Sequence, residues 1–111
     1  MPPKNLRVLV WDNEGEAMSK YIVRVELHHA DYQDYEQLHA AMEKKGFARK
    51  VQGSDGQIYD LPEAEYFVST QRDISEVRAA ARNAAVGTGR KNAVLVTQSV
   101  TSAWIGLKKS A

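Results

Sequence analysis

The sequence predicts a small α+β domain of order β-α-β-β-α-β, and three observations carry that prediction. From Tyr21 to His28 apolar and polar residues alternate, with Tyr21, Val23, Val25 and Leu27 on one side and Arg24, Glu26 and His28 on the other, the period of a half-buried strand. Asp31 and Asp73 each have the side chain of a helix cap and are each followed by apolar residues at helical spacing. Between those two helices, Asp55-Gly56 separates two strand-like runs and reads as a hairpin turn.

Residues 1–17, MPPKNLRVLVWDNEGEA, differ from the rest in holding two prolines, one short apolar run and an acidic, glycine-containing link. They are expected to be an extension to the domain or a leader upstream of a native start at Met18. Leu6, Val8 and Val10 would otherwise form an added edge strand or a partner-binding arm. The first strand then leads to Asp31, with Asp34 three positions on and Tyr35, Leu38 and Met42 as the inner face of the first helix. Gly46 supplies its C-terminal stop, and residues 47–51 read as the second strand. The turn at residues 53–56 closes a hairpin onto residues 57–61, where Pro62 interrupts or bulges a return strand that continues through residues 64–70.

Asp73 and Glu76 form a capping box, and Ile74, Val77, Ala81 and Ala84 give the second helix a narrow inner face that lies close to a sheet. Gly87 and Gly89 end it, and residues 92–99, NAVLVTQS, form the last strand. Trp104, Ile105 and Leu107 make the tail too apolar to leave in water, so it is expected to dock on its own domain or on a second copy. Right-handed crossovers place both helices on one face of a four-stranded antiparallel sheet, the ferredoxin-like arrangement, as a single domain over residues 18–111. The other face stays open and carries Ile22, Arg24, Glu26 and His28 along the first strand.

At 111 residues, 43% hydrophobic and 26% charged, the chain is long enough for a real core without staples. It has no cysteine, which excludes disulfides, thiolate zinc sites and cysteine nucleophiles and fits a reducing cytoplasm. The run at residues 6–11 is too short for a signal sequence or a membrane span. A net charge of +1 makes any nucleic-acid binding a local property. The local basic groups are Lys44, Lys45, Arg49 and Lys50, then Arg90 and Lys91. The first two also complement the negative end of the first helix.

His28 and His29, with Asp31 close behind, are the only local cluster of titratable residues suited to catalysis. Neighbouring strand residues point opposite ways, and His39 falls two helical turns into the next helix, so the spacing does not favour a metal site and none is expected. Cleavage of RNA by its own 2′-hydroxyl needs a base, an acid and a cation near the phosphate. His28, His29, Arg49 and Lys50 could supply them, with Arg24 as a further RNA contact. Equally, His28 could be a satisfied sheet residue and Asp31 a helix cap. Tyr59 and Tyr66 would form an aromatic patch better suited to packing than to stacking on bases. Gly87-Thr88-Gly89-Arg90-Lys91 follows a helix where a phosphate loop precedes one, so it reads as a stop with basic flanks.

The run VRVELHHADYQDYEQLHAAMEKKGFAR, followed by DGQIYDLPEAEY and AVLVTQS with a late Trp, resembles the GhoS-type endoribonuclease antitoxins of type V toxin–antitoxin systems, over about Tyr21 to Leu107. The resemblance implies a ferredoxin-like fold similar to the small CRISPR-associated integrase subunit, and cleavage of a toxin messenger at uridine-rich sites. An aspartate near the end of the first strand is that subunit's metal-site candidate; Glu26 and Asp31 are nearby here, but neither aligns with it. The expectation is a cytoplasmic, metal-independent endoribonuclease acting on single-stranded RNA, without cofactor and as a homodimer. The alternative is a non-catalytic homodimeric module that binds a protein or RNA through its open sheet face.

Overall fold

The computed structural model describes residues 18–110, so the expectations for residues 1–17 lie outside the described residues. The elements are β1 (Ser19–Leu27), α1 (Tyr32–Lys44), β2 (Lys50–Gln52), β3 (Ile58–Asp60), β4 (Glu65–Thr70), α2 (Ile74–Val86) and β5 (Asn92–Ser99). β1 is the central strand of a three-stranded antiparallel sheet of order β4-β1-β5, with Val23 opposite Tyr66 on one side and Val96 on the other. Its alternation places Tyr21, Val23, Val25 and Leu27 in the core, each no more than 5% exposed. Leu38 and Met42 of α1 and Val77, Ala81, Ala84 and Ala85 of α2 join the same core, so both helices cover one face.

Both helix starts are built as the sequence predicts. Asp31 accepts from the Asp34 N–H at 2.9 Å while Asp34 accepts from the Asp31 N–H at 3.0 Å, and Asp73 and Glu76 make the same reciprocal pair at 2.9 Å each. At the end of α1, Gly46 takes φ +92°. Its N–H donates to Glu43 O and the Phe47 N–H to Met42 O, the two bonds of a Schellman closure.

The antiparallel strands form a three-stranded sheet and a two-stranded hairpin, β2-β3. One isolated antiparallel bridge joins the two parts, with Ala48 and Phe67 exchanging both backbone hydrogen bonds at 2.7 and 2.8 Å. The return strand breaks where the sequence places Pro62, which has no N–H for a ladder. Pro62 O instead accepts from the Glu65 N–H at 3.1 Å, and Ala64 adopts φ +64°. These residues turn the chain out of the hairpin and into β4.

The tail docks on its own hairpin. Asp60 N–H donates to Lys108 O, Ser110 N–H donates to Ile58 O, and the Trp104 ring meets Tyr59 edge-on at 5.6 Å. Ile105 remains 97% exposed, so the docking covers only part of the apolar tail. No helix among the described residues is long and apolar enough to cross a membrane.

Candidate functional site

The antiparallel pairing of β1 with β5 determines what surrounds the two histidines. Because Leu27 lies opposite Asn92, the residues just after β1 meet those just before β5, and the His28 N–H donates to Lys91 O at 2.8 Å. β1 ends at Leu27, whose outward N–H is taken by the Tyr35 hydroxyl at 3.1 Å. His29 turns the chain with φ +55°, a left-handed conformation that costs a non-glycine residue of order 1 kcal/mol. His28 and His29 thus sit in the turn between β1 and α1, and Asp31 is the helix cap.

Beside them opens a surface cleft of about 610 Å³, lined by His28, Arg82, Arg90, Lys91 and Asn92, with Val86 and Gly89 completing the wall. None of these groups is a carboxylate. Arg90 is held from outside the cleft, its Nε 2.8 Å from Asp34 Oδ2. Arg82 and Lys91 make no ion pair among the described residues. Among the described residues, Arg82 and Lys91 therefore bring positive charge to the cleft with no paired carboxylate, while Arg90 is paired with Asp34 and His28 Nε2 lies 3.6 Å from Glu26, a balance that favours an anion.

Asn92 adds an acceptor. Its Nδ2 donates to Arg90 O at 3.1 Å, which fixes the orientation of the amide. That leaves Oδ1 buried and without a partner among the described residues, an arrangement that costs about 1–3 kcal/mol.

Asp34 links this region to α1. The Asp31 N–H, followed by the hydrogen bond and charge of Arg90, holds its carboxyl below the usual range. The Tyr59 hydroxyl and the Gln57 N–H do the same for Asp55, and Lys50 does so for Asp60. Groups depressed in the folded state bind fewer protons than in the unfolded chain as pH falls, so their contribution is full above about pH 5, begins to fall as the unfolded carboxyls protonate near pH 4, and is lost as pH drops through the folded values. Urea unfolding at pH 7, 5, 4 and 3 should show stability falling only at the last two steps. Asp34→Asn should shallow that fall; an equally steep one would show that Asp34 contributes none of it.

Arg24, Arg49 and Lys50 lie elsewhere. Arg24 is on the open face of the sheet, 3.5 Å from Glu65. Arg49 pairs with Glu63 at 3.6 Å, and Lys50 bonds Asp60 at 2.8 Å and also Ser110. The last two belong to the hairpin side of β4, whereas the cleft is on the β5 side of β1, about 10 Å or more across the sheet at ordinary strand spacing. The structure brings His28 together with Arg90 and Lys91, and does not bring it together with Arg49 and Lys50.

The sequence reading missed Arg82. Its signal is the spacing Arg78-Arg82 on the polar face of α2, followed by Arg90-Lys91 just past the helix. His39, weighed in the sequence only as a third metal ligand, is 6% exposed, with Nδ1 2.6 Å from the Tyr66 hydroxyl and Nε2 2.9 Å from Glu63 Oε2. Tyr66 is fully buried, and burial pushes its phenol well above the ordinary value. It therefore keeps its proton and shares a hydrogen bond with Nδ1, and Nε2–H donates to the Glu63 carboxylate, which can only accept. Tyr66 is thus a core residue, and Tyr59 is the only one of the expected aromatic pair at the hairpin surface. No group of three or more His, Asp or Glu residues among the described residues is placed to hold a metal ion. No protein-family model and no curated protein sequence matches this chain.

Proposed function

We propose that the protein is a small endoribonuclease-like antitoxin that binds and cleaves single-stranded RNA in the cytoplasm, with His28 as its reacting base. The observation that carries this reading is the placement of His28 in a cleft whose other charged groups, Arg82, Arg90 and Lys91, are all cationic. A phosphodiester drawn into that cleft would lie beside an imidazole. His28 would take the proton of the 2′-hydroxyl, whose oxygen attacks the adjacent phosphorus, while the 5′-oxygen leaves with a proton from His29 or water. The products are a 2′,3′-cyclic phosphate and a free 5′-hydroxyl, and the step needs no metal. The resemblance to GhoS-type antitoxins supports this reading, as does the β4-β1-β5 order with a hairpin bridged to β4, which matches the ferredoxin-like strand order once that bridge is counted. The principal phosphate contacts pass from Arg24, Arg49 and Lys50, which do not line the cleft, to Arg82, Arg90 and Lys91, which do.

Purified protein should cut a uridine-rich single-stranded RNA at equal rates with and without EDTA. His28→Ala should lower the rate by about 10²–10⁴-fold, the usual worth of a positioned acid or base. No cutting by the wild type, or unchanged cutting by the variant, would overturn the catalytic reading.

One observation favours the non-catalytic homodimer as a second reading. Among the described residues β5 is an eight-residue edge strand with no charge, proline or bulge, a kind of edge that natural sheets usually protect. Pairing of two β5 edges would cover it, and sedimentation showing a dimer that cuts no RNA would favour this reading over the first.

A further inference from the structure

The positive charge of the cleft continues beyond its rim. α2 turns Val77, Ala81, Ala84 and Ala85 to the core, which leaves Arg78 and Arg82 exposed. Val86, four positions after Arg82, lines the cleft beside it, so Arg78, Arg82 and Val86 share one row on the helix. No carboxylate stands three or four positions from either arginine, and neither makes an ion pair among the described residues. Two like charges at this spacing weaken a helix, so the stability of α2 does not account for them. Neighbours in the row are about 5–6 Å apart, close to the distance between successive phosphates of an extended strand. The row also carries Ile74 at its head and Val86 at its foot, both exposed. An inorganic anion would use only the arginines, whereas a nucleic-acid strand has phosphates for them and sugars and bases to cover the apolar pair.

We infer that an RNA strand leaves the cleft along this row of α2, one phosphate on Arg82 and Lys91 beside His28 and the next on Arg78, so that the helical layer carries the strand and the open sheet face does not. The inference rests on the RNA-acting reading above and adds the path of the bound strand. Arg78 is outside the cleft and is a positioning residue, touching the strand one nucleotide from the reacting phosphate. On the open sheet face Lys20 and Arg24 are matched by Glu26 and by Glu65, which lies opposite Arg24. That face therefore brings no net charge to a phosphate backbone.

The test measures binding of the full chain to two probes over a range of potassium chloride, a short 2′-O-methyl oligouridylate by fluorescence anisotropy and 2′-O-methyluridine 3′-monophosphate by NMR titration. The methyl group removes the attacking hydroxyl, which separates binding from cleavage. For the oligomer, log Kd should rise with log salt at a slope of about 2, from Arg78, Arg82 and Lys91 at about 0.7 each on a single strand. Arg78→Gln should weaken the oligomer about fivefold at low salt and lower the slope by about 0.7. Arg78→Lys should restore both. The mononucleotide, which fills only the cleft, should be indifferent to Arg78→Gln and weakened by Arg82→Gln. Arg24→Gln, on the sheet face, should change neither. Unchanged affinity and slope in Arg78→Gln, an equal loss for oligomer and mononucleotide, a loss in Arg24→Gln, or binding of neither probe would overturn the inference. A protein that leaves unmodified RNA intact yet shows these slopes would keep the path along α2 and lose the catalytic reading. One that cuts RNA while Arg78→Gln changes nothing would do the reverse.

Discussion

Replacing Phe47 with alanine should remove about 3–5 kcal/mol of stability, the range for deleting a buried aromatic. Phe47 is 1% exposed and holds a junction. Its N–H closes the end of α1 on Met42 O at 3.1 Å, and the next residue, Ala48, makes the backbone bridge to Phe67. The ring therefore anchors both the helix end and the point where the hairpin meets the sheet. Against a total stability of about 5–15 kcal/mol for a domain of this kind, the variant should sit near its unfolding midpoint in mild denaturant. Gly46→Ala tests the same closure through the backbone alone. It forces a β-carbon onto φ +92° where no neighbouring atom lies within 4 Å, so it should cost about 1 kcal/mol from conformation and nothing from a clash. Urea unfolding would measure both. A loss under about 1 kcal/mol for Phe47→Ala would show that the core repacks around the gap, and that the hairpin is held by other contacts.

The elements were legible where the chain specifies them locally. The alternation of β1, the capping boxes at Asp31 and Asp73, Gly46 and the span of β5 each depend on residues within a few positions of one another, and each forms as expected. The four-stranded sheet was not legible in the same way, because whether β2 pairs fully with β4 depends on how far Pro62 and Ala64 turn the chain, which is decided by tertiary contact. The cleft was legible only in parts. His28 and Arg90-Lys91 stood out as separate features, and the inference that joins them is topological: in an antiparallel β1-β5 pair, the end of one strand must meet the start of the other. Arg82 needed the further knowledge of which side of α2 borders that junction. Arg49 and Lys50 were grouped with the histidines because they follow the first helix closely, but sequence proximity across a helix does not bring two sheet edges together.

His39 shows the opposite case, a titratable residue that composition offers for chemistry and packing claims for the core. The Tyr66 hydroxyl is hydrogen-bonded to Nδ1, Nε2–H donates to Glu63, and Glu63 in turn pairs with Arg49. Such a chain is stable as a unit and costly when cut in one place, because a single deletion leaves its neighbour buried and unpaired. Tyr66→Phe keeps the ring and strands Nδ1, so about 1–3 kcal/mol should be lost. His39→Leu fills much of the space and strands the Tyr66 hydroxyl, at a similar cost. The double variant removes donor and acceptor together, and its loss should fall short of the sum of the single losses by about 0.5–3 kcal/mol. A double-mutant cycle in urea measures that shortfall directly. Additive losses would mean that the 2.6 Å contact contributes nothing to stability, leaving His39 as a filler of volume; a clear shortfall would make the Tyr66–His39 pair the polar link between α1 and β4, and Glu63 its solvent-side end.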